Sequence, residues 1–185
     1  MNLFLDTISP KNALILFDND RNILKKYFFD VRQNESTLLI EKFDEFLKEN
    51  NLKYFDLENI VVVNWPGSFT WVRTTILLVN TINFLIKKDI TSLTYFDLFP
   101  DFPIVKSSSK RDSFLKIDKN SDPEIISNED LALKLNWINK IYWDIDFLED
   151  KEVIKEPNYD EIIKNIEFQE NKKIEPYYLK KPSIT

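Results

Sequence analysis

The segment best placed to do chemistry is a short loop between a predicted strand and a predicted helix. The apolar run Asn59–Asn64 is followed by Pro66, Gly67 and Ser68, and a helix begins at about Thr70. Backbone N–H groups at the start of such a helix can hold an anion or a neighbouring backbone, and glycine permits a sharp turn there. Proline-glycine turns before helices are common, so this pattern alone does not distinguish a binding loop from an ordinary turn.

The composition excludes much of the usual catalytic chemistry. The chain has no histidine and no cysteine. It therefore lacks a Ser-His-Asp triad, a thiol nucleophile, a disulfide and the commonest soft metal ligands, and a metal would need a cluster of carboxylates. We expect no catalytic residue, no metal and no bound cofactor.

The charge and hydropathy of the chain indicate a cytoplasmic protein. The net charge of −6 argues against a protein whose main task is to grip a nucleic-acid backbone. No apolar run reaches the length of about 18 residues that a membrane span needs, and the N-terminus lacks the features of a signal peptide.

The first hundred residues predict the elements that must position the loop. Three strands separated by turns predict an antiparallel meander, and a helix capped by Asn34 follows them. A central strand, a second helix and a further strand complete the order β-β-β-α-β-α-β. The predicted strands are Asn2–Thr7, Ala13–Phe17, Asn22–Val31, Asn59–Asn64 and Ile90–Leu93, and the predicted helices are 34–50 and 70–87.

The second half of the chain carries weaker signals. Two prolines near Phe99–Pro103 predict a domain boundary, with one unit at 1–100 and another at 101–185. The predicted elements are a hairpin of strands 104–107 and 114–117 around Lys110–Asp112, a helix from Ser127 to Leu135, a strand at 138–142, a helix at 158–168 and an extended tail at 174–181.

The second helix of the first unit is apolar on more than one face, which suggests a partner. A helix that is apolar nearly all round must be covered on both sides. One side would cover the sheet, and the other, with the stripe of the first helix, would form a helix-bundle interface; the alternative is that both helices only sandwich the sheet. The residues assigned to the interface are Leu39, Phe43, Leu47, Ile76, Val79, Asn80 and Asn83.

Several strings resemble a known family when they are read in order. The string Val63–Arg73 (VNWPGSFTWVR) resembles the GPGSFTGLR signature of the TsaB family, and Leu3–Thr7 resembles the family's opening ILAIDTS strand. The tail Glu175–Pro182 resembles the closing E-P-x-Y-L-R, and Asn34–Ser36 lies where the family has the start of a helix, without its histidine and proline. The signature residues are Trp65, Pro66, Gly67, Ser68, Phe69, Thr70, Trp71 and Arg73.

The resemblance implies an α/β protein of the actin-like, Hsp70-like ATPase superfold. It implies a mixed central sheet in a first lobe that carries the partner helices, and a reduced second lobe with an extended tail. In that superfold Asp6 and Thr7 would lie where phosphate and metal bind. Here the loop that follows, Ile8–Pro10, has no glycine to cradle a phosphate, so nucleotide binding is not favoured.

The resemblance also implies a non-catalytic role. TsaB is the partner subunit of the enzyme TsaD, which with the ATPase TsaE places threonylcarbamoyl on the adenosine next to the tRNA anticodon. We therefore expect a TsaD-like partner, a TsaE-like ATPase within the complex, a homodimer as another option, contact with tRNA only through the complex, and no membrane. The alternative is a stand-alone nucleotide-binding phosphotransferase or ATPase that uses Asp6 and the 65–73 loop.

All four tryptophans stand at positions typical of glycine, while the chain has a single glycine. Trp65 and Trp71 replace signature glycines, Trp143 ends a strand, and Trp137 follows a predicted helix end. Some AT-rich bacterial lineages read UGA as glycine, so these tryptophans could be glycines in the natural protein. The alternative is ordinary packed aromatic residues, and UGG codons in the gene would refute the recoding hypothesis.

No binding site is predicted at the remaining basic residues. Arg73 could pair with a carboxylate or phosphate, or only cap local structure. Lys110 and Arg111 are expected in a solvated turn. The pairs Lys172–Lys173 and Lys180–Lys181 could touch tRNA, although solvated surface is the commoner role for such pairs.

Overall fold

The computed structural model describes residues 1–30, 35–144 and 151–177, with side chains described outside 35–37. Within these residues, ten strands form two five-stranded mixed sheets. The strands are β1 (Asn2–Asp6), β2 (Asn12–Phe17), β3 (Ile23–Phe29), β4 (Asn59–Trp65), β5 (Asp89–Thr94), β6 (Ile104–Ser107), β7 (Asp112–Lys116), β8 (Glu124–Ser127), β9 (Lys140–Trp143) and β10 (Glu152–Ile154). The helices are α1 (Glu35–Glu49), α2 (Phe69–Ile86), α3 (Asn128–Lys134) and α4 (Tyr159–Asn165).

The first sheet has the strand order β3-β2-β1-β4-β5. β1 and β2 pair antiparallel, as do β2 and β3, whereas β4 is parallel to both β1 and β5. The antiparallel meander and the crossover through α2 confirm the predicted order β-β-β-α-β-α-β. β1 and β4 are buried along nearly their whole length, as the β-branched run in β4 requires of a central parallel strand.

Helices cover both faces of the first sheet. Tyr27 of β3 stacks on Phe46 of α1, with ring centroids 5.8 Å apart, and the next residue, Phe28, lies 5.9 Å from Tyr159 of α4. Because consecutive strand residues point to opposite faces, α1 and α4 lie on opposite sides of the sheet. One hydrophobic core therefore includes the sheet, α1, α2 and α4.

The second sheet repeats the topology of the first. Its order is β10-β9-β6-β7-β8, with an antiparallel meander β6-β7-β8 and with β9 parallel to both β6 and β10. The predicted hairpin and the Ser127 cap are confirmed, since the Ser127 side chain accepts a hydrogen bond from the Asp130 backbone N–H. β8 and β10 were not predicted, because both are short and carry exposed polar residues.

α2 is strongly apolar in composition. It is long and apolar enough to cross a membrane by length and composition alone, with a mean hydropathy of 1.3 over 18 residues. Core helices of folded domains pass the same test, and 44% of α2 is buried inside this chain. The burial identifies α2 as a helix of the sheet's core.

Candidate functional site

The first part of the site is a buried carboxylate at the end of β1. The Oδ1 atom of Asp6 accepts hydrogen bonds from the backbone N–H groups of Ile8 and Ser9, at 2.8 and 2.9 Å. Its Oδ2 atom accepts from the Ser9 hydroxyl at 2.6 Å and from the Tyr159 hydroxyl at 2.9 Å. Asp6 is fully buried, so both of its oxygens are satisfied by the chain itself.

The second part is a largely buried ion pair of the second sheet, whose lysine also bonds the loop after β1. Lys106 of β6 donates to the backbone carbonyl of Ile8 at 2.9 Å and to the Oδ2 atom of Asp144 at 2.7 Å. The Oδ1 atom of Asp144 accepts from the backbone N–H of Ser107 at 2.9 Å and from its hydroxyl at 2.8 Å. We call Asp6, Ser9, Lys106, Ser107, Asp144 and Tyr159 the polar lock.

Two groups of the polar lock have pKa values shifted by their surroundings. Burial raises the pKa of Asp144, but the Lys106 ammonium and the hydrogen bonds from Ser107 outweigh it and hold the pKa below the usual range. Burial and the neighbouring Asp6 raise the pKa of Tyr159, so its hydroxyl stays protonated and donates. Within the described residues, no group of three or more acidic side chains is arranged to hold a metal.

This arrangement has a direct chemical consequence. A nucleotide or metal would need acceptor oxygens of Asp6 or donors near it, and those atoms already bond to Ile8, Ser9 and Tyr159. The polar lock connects the loop after β1 with the second sheet and with α4. Its groups therefore hold separate parts of the fold together. Sequence reasoning missed Lys106, Asp144 and Tyr159 because they lie far apart in the chain.

The signature loop packs against the same loop after β1. A Cβ added at Gly67 would lie 3.1 Å from the Ile8 side chain and 3.3 Å from that of Val72. The chain bends at Pro66 and Gly67 as predicted, but Gly67 does not adopt a positive φ, so close packing and not a left-handed backbone favours glycine there. Behind it, the hydroxyls of Thr7 and Thr75 hydrogen-bond at 2.7 Å in the core.

The start of α2 is open to solvent. Gly67, Ser68, Phe69 and Thr70 are all exposed, and Ser68 makes no side-chain capping bond. The Arg73 guanidinium lies over the Phe69 ring, 4.9 Å from its centroid. Arg73 thus packs on its own helix, and the carboxylate or phosphate partner considered for it is not seen among the described residues.

The residues predicted to bind a partner lie in the chain's own core, and this expectation is corrected. Six of them are buried: Leu39, Phe43, Leu47, Ile76, Val79 and Asn83. The seventh, Asn80, is half-buried and bonds the tail of the same chain. Helical spacing placed apolar residues on more than one face of α2, but it could not tell which face meets the sheet.

A different row of apolar side chains on α2 is exposed. Leu77, Phe84 and Leu85 expose 70%, 80% and 57% of their surface. Thr81 is exposed as well. Positions 77, 81, 84 and 85 are spaced by four, three and one residues and therefore lie on one side of the helix. We call Leu77, Thr81, Phe84 and Leu85 the α2 stripe. Ile40 of the neighbouring α1 is exposed as well.

The C-terminal segment 166–177, which we call the strap, runs along β5 and α2. Asn80 donates to the Ile174 carbonyl at 2.8 Å and accepts from the Ile174 N–H at 3.0 Å. Asn83 donates to the carbonyl of Lys172 at 2.9 Å, and Asn64 donates to that of Glu175 at 2.8 Å. The predicted extended tail is observed through residue 177, and its last residues lie outside the described range.

The strap also reaches the signature loop. The Tyr177 ring lies 5.0 Å from that of Trp65, nearly perpendicular to it, and Phe96 and Phe114 surround the same indole. The two most distinctive strings of the sequence, at 63–73 and 175–182, are therefore in contact. Sequence reasoning located both strings but had no signal for the contact.

The four tryptophans occupy ordinary backbone conformations. Trp65 and Trp143 are buried, Trp71 is half-buried, and Trp137 is exposed. None of the four has a positive φ, which in the described residues occurs only at Arg21, Asn51 and Lys87. The glycine-like backbone expected at Trp137 is therefore wrong, and the codon test stays the way to decide the recoding hypothesis.

The remaining basic residues behave as surface residues. Lys110 and Arg111 are exposed in the β6–β7 turn, as predicted. Lys172 pairs with Asp89, and Lys173 lies 3.5 Å from Glu175. Lys180 and Lys181 lie outside the described residues.

Comparisons with known proteins agree with this fold. No family profile and no curated protein matches the sequence. A solved structure of an uncharacterized protein with similarity to peptidase YeaZ, from Pseudomonas aeruginosa, is 12% identical and superposes with a TM-score of 0.73 over 97% of this chain and 99% of that chain. YeaZ from Pseudomonas aeruginosa superposes with a TM-score of 0.59 over 69% of this chain and 67% of its own, at 14% identity.

These likenesses concern the fold. YeaZ belongs to the TsaB family. The expected TsaB-like, actin-like fold is therefore confirmed. The observed strand order in two duplicated mixed sheets agrees with that conclusion. The division of the chain at residue 100 stays a prediction.

Proposed function

We propose that this chain is the non-catalytic, TsaB-type subunit of a tRNA threonylcarbamoyladenosine modification complex. In this role it would dimerise with a TsaD-like enzyme in the cytoplasm and support it together with a TsaE-like ATPase. It would meet tRNA only through the complex. The TsaB-like fold supports the proposal, and the α2 stripe is the observation that carries it.

The α2 stripe has the character of a docking surface. Leu77, Phe84 and Leu85 are more than half exposed, and Arg73 is the only charged residue of α2. An apolar helix face in water is stabilised when another helix covers it, and such exposed patches mark interaction sites. A TsaD-like partner is the occupant that the fold favours; a homodimer through the same face is the second option.

The polar lock supports the absence of a catalytic role. Asp6 is the residue that the enzyme alternative requires, and its carboxylate oxygens are occupied by Ile8, Ser9 and Tyr159. We expect no ATP turnover by the isolated chain. Turnover that disappears in Asp6→Ala, with the variant still folded, would favour the phosphotransferase or ATPase alternative.

The proposal is tested by binding to the TsaD-type protein of the same genome. Leu77→Asp and Phe84→Asp should each weaken the complex by about 30-fold or more, because truncating an interface anchor typically costs 2 kcal/mol or more. Phe55→Asp is the matched control, since Phe55 is equally exposed but lies outside α2. Unchanged affinity in both α2 variants, measured by titration calorimetry, would contradict the proposal.

A further inference from the structure

The groove between α2 and the edge of β5 recognises an extended backbone. Asn80 makes a two-way hydrogen-bonded pair with the N–H and carbonyl of Ile174, at 3.0 and 2.8 Å. Asn83 and Asn64 each donate to a further strap carbonyl. These side-chain amides bond main-chain atoms, so they bind a peptide in a defined register and depend little on its side chains.

The other wall of the groove is a sheet edge. β5 is the last strand of the first sheet. The strap meets it through an antiparallel bridge between Ile90 and Asn171 and through Gln169, whose side chain bonds the N–H and carbonyl of Ser92. The Ile90 N–H donates to the Asn171 carbonyl at 2.8 Å, and the Asn171 side chain donates back to the Ile90 carbonyl at 3.1 Å. Edge strands are templates for an added peptide strand.

Little apolar surface holds the strap in place. Beyond Ile166, which is buried at its start, Ile174 is the only buried residue of the strap, and the partly exposed rings of Phe168 and Tyr177 contact Phe17 and Trp65. Segments with few buried apolar contacts open locally at a lower free energy than the core does. The strap is therefore held by main-chain hydrogen bonds, by the side chains of Gln169 and Asn171, and by the apolar contacts of Ile174 and Tyr177.

We propose that this groove is a peptide-binding site whose resident ligand is the chain's own strap, and that it accepts the same segment from a second copy of the chain. The second copy is the fitting occupant because its segment supplies the same Ile174 anchor and the same register. Exchange of an identical element between copies needs no new contacts. The site is separate from the α2 stripe, which the strap borders, and does not depend on the proposed function.

The test uses the full chain with a weakened strap. In Ile174→Asp the anchor of the resident strap is lost, and a fluorescent synthetic peptide of residues 167–177 with its natural sequence should bind at least tenfold more tightly than it binds the unaltered chain. Adding Asn80→Ala to Ile174→Asp should lower peptide affinity about 30-fold, since two hydrogen bonds of about 1 kcal/mol each are lost. Adding Asn136→Ala, at an exposed asparagine outside the groove, should change nothing.

Several outcomes would overturn the proposal. One is equal binding of the peptide to the unaltered chain, to Ile174→Asp and to the Asn80→Ala double variant; another is no binding to a folded Ile174→Asp chain. If Ile174→Asp does not fold, hydrogen exchange of the unaltered chain decides. Strap amides, such as that of Ile174, should exchange at least tenfold faster than those of β1 and β4, and equal protection would refute a displaceable strap.

Exchange between copies is measured by native mass spectrometry. A chain with the natural strap, mixed with the Ile174→Asp variant, should form a mixed dimer. The intact strap of one copy can occupy the emptied groove of the other. Both chains carry Leu77→Asp in this experiment, so that association through the α2 stripe is removed. A mixture that stays monomeric would refute the exchange, whatever the result with the TsaD-type protein.

Discussion

The two sheets share a strand order but differ in the helices that they carry. In the first sheet, an 18-residue helix, α2, connects β4 to β5. In the second, the chain passes from β9 to β10 through residues 144–151, which are too few for such a helix. α3, between β8 and β9, corresponds in order to α1 but has only 7 residues.

This difference separates two tasks of one duplicated scaffold. The second sheet contributes Lys106, Ser107 and Asp144 to the polar lock. The first sheet contributes the long helix whose outer face is exposed and apolar. The second sheet thus supports the first from within, and the first presents the surface that we propose for a partner.

The largest expected effect on stability comes from replacing Lys106, which connects the second sheet to the loop after β1. Lys106→Met should destabilise the chain by about 3–5 kcal/mol, because the substitution leaves the buried Asp144 carboxylate without its partner. Urea unfolding followed by circular dichroism measures the loss. The pair Lys106→Met with Asp144→Asn should recover part of it, and a single Lys106→Met within 1 kcal/mol of the unaltered chain would show that the lock is not buried in solution.

Adjacent residues of α2 sharpen the contrast between its two faces. Ile76→Ala should cost about 2–5 kcal/mol, because Ile76 is buried against the sheet. Leu77→Ala should change stability by less than about 0.5 kcal/mol, because Leu77 is exposed. Equal losses in thermal unfolding would mean that the outer face of α2 is covered.

Acid should remove the stabilisation that Asp144 gives to the polar lock. The pKa of Asp144 is lower in the fold than its ordinary value of 3.8, because its bonds to Lys106 and Ser107 outweigh burial. The stabilisation it gives is therefore complete above the unfolded pKa and is lost as the pH falls through the lower folded pKa. Unfolding free energies measured against pH should show a smaller acid dependence in Asp144→Asn, and identical slopes would contradict this account.

The smallest expected effect concerns the helix starts. Ser127→Ala should cost about 1 kcal/mol, because its side chain caps α3 by accepting from the Asp130 N–H. Ser68→Ala should cost less than about 0.5 kcal/mol, because Ser68 makes no such bond at the start of α2. The comparison of the two variants by thermal unfolding is itself the control.

The parts of the fold that were predicted from sequence are those with strong local patterns. β4 and α2 were found because a β-branched run and a long apolar helix repeat are visible within a single window. β8 and β10 were missed because their three or four residues carry no alternation and expose polar side chains. Their place is fixed by pairing with β7 and β9, which is not local information.

The site shows the same limit more sharply. The loop at 65–73 and the strand ending in Asp6 were identified, but the partners of Asp6 were not, because Tyr159 is 153 residues away. Asn80 and Asn83 were placed on a partner surface, whereas they bind the chain's own strap. A helical repeat gives the faces of a helix but not what each face meets.

The strap affects the tendency of this protein to aggregate at high concentration. A free sheet edge recruits strands from other molecules and can grow into fibrils. One border of the first sheet, β5, is sheltered by the strap, and the other, β3, carries the exposed charges of Lys25 and Lys26. Both edges of the first sheet thus carry features that disfavour pairing with other molecules: the strap covers β5 while it is in place, and β3 presents lysine side chains.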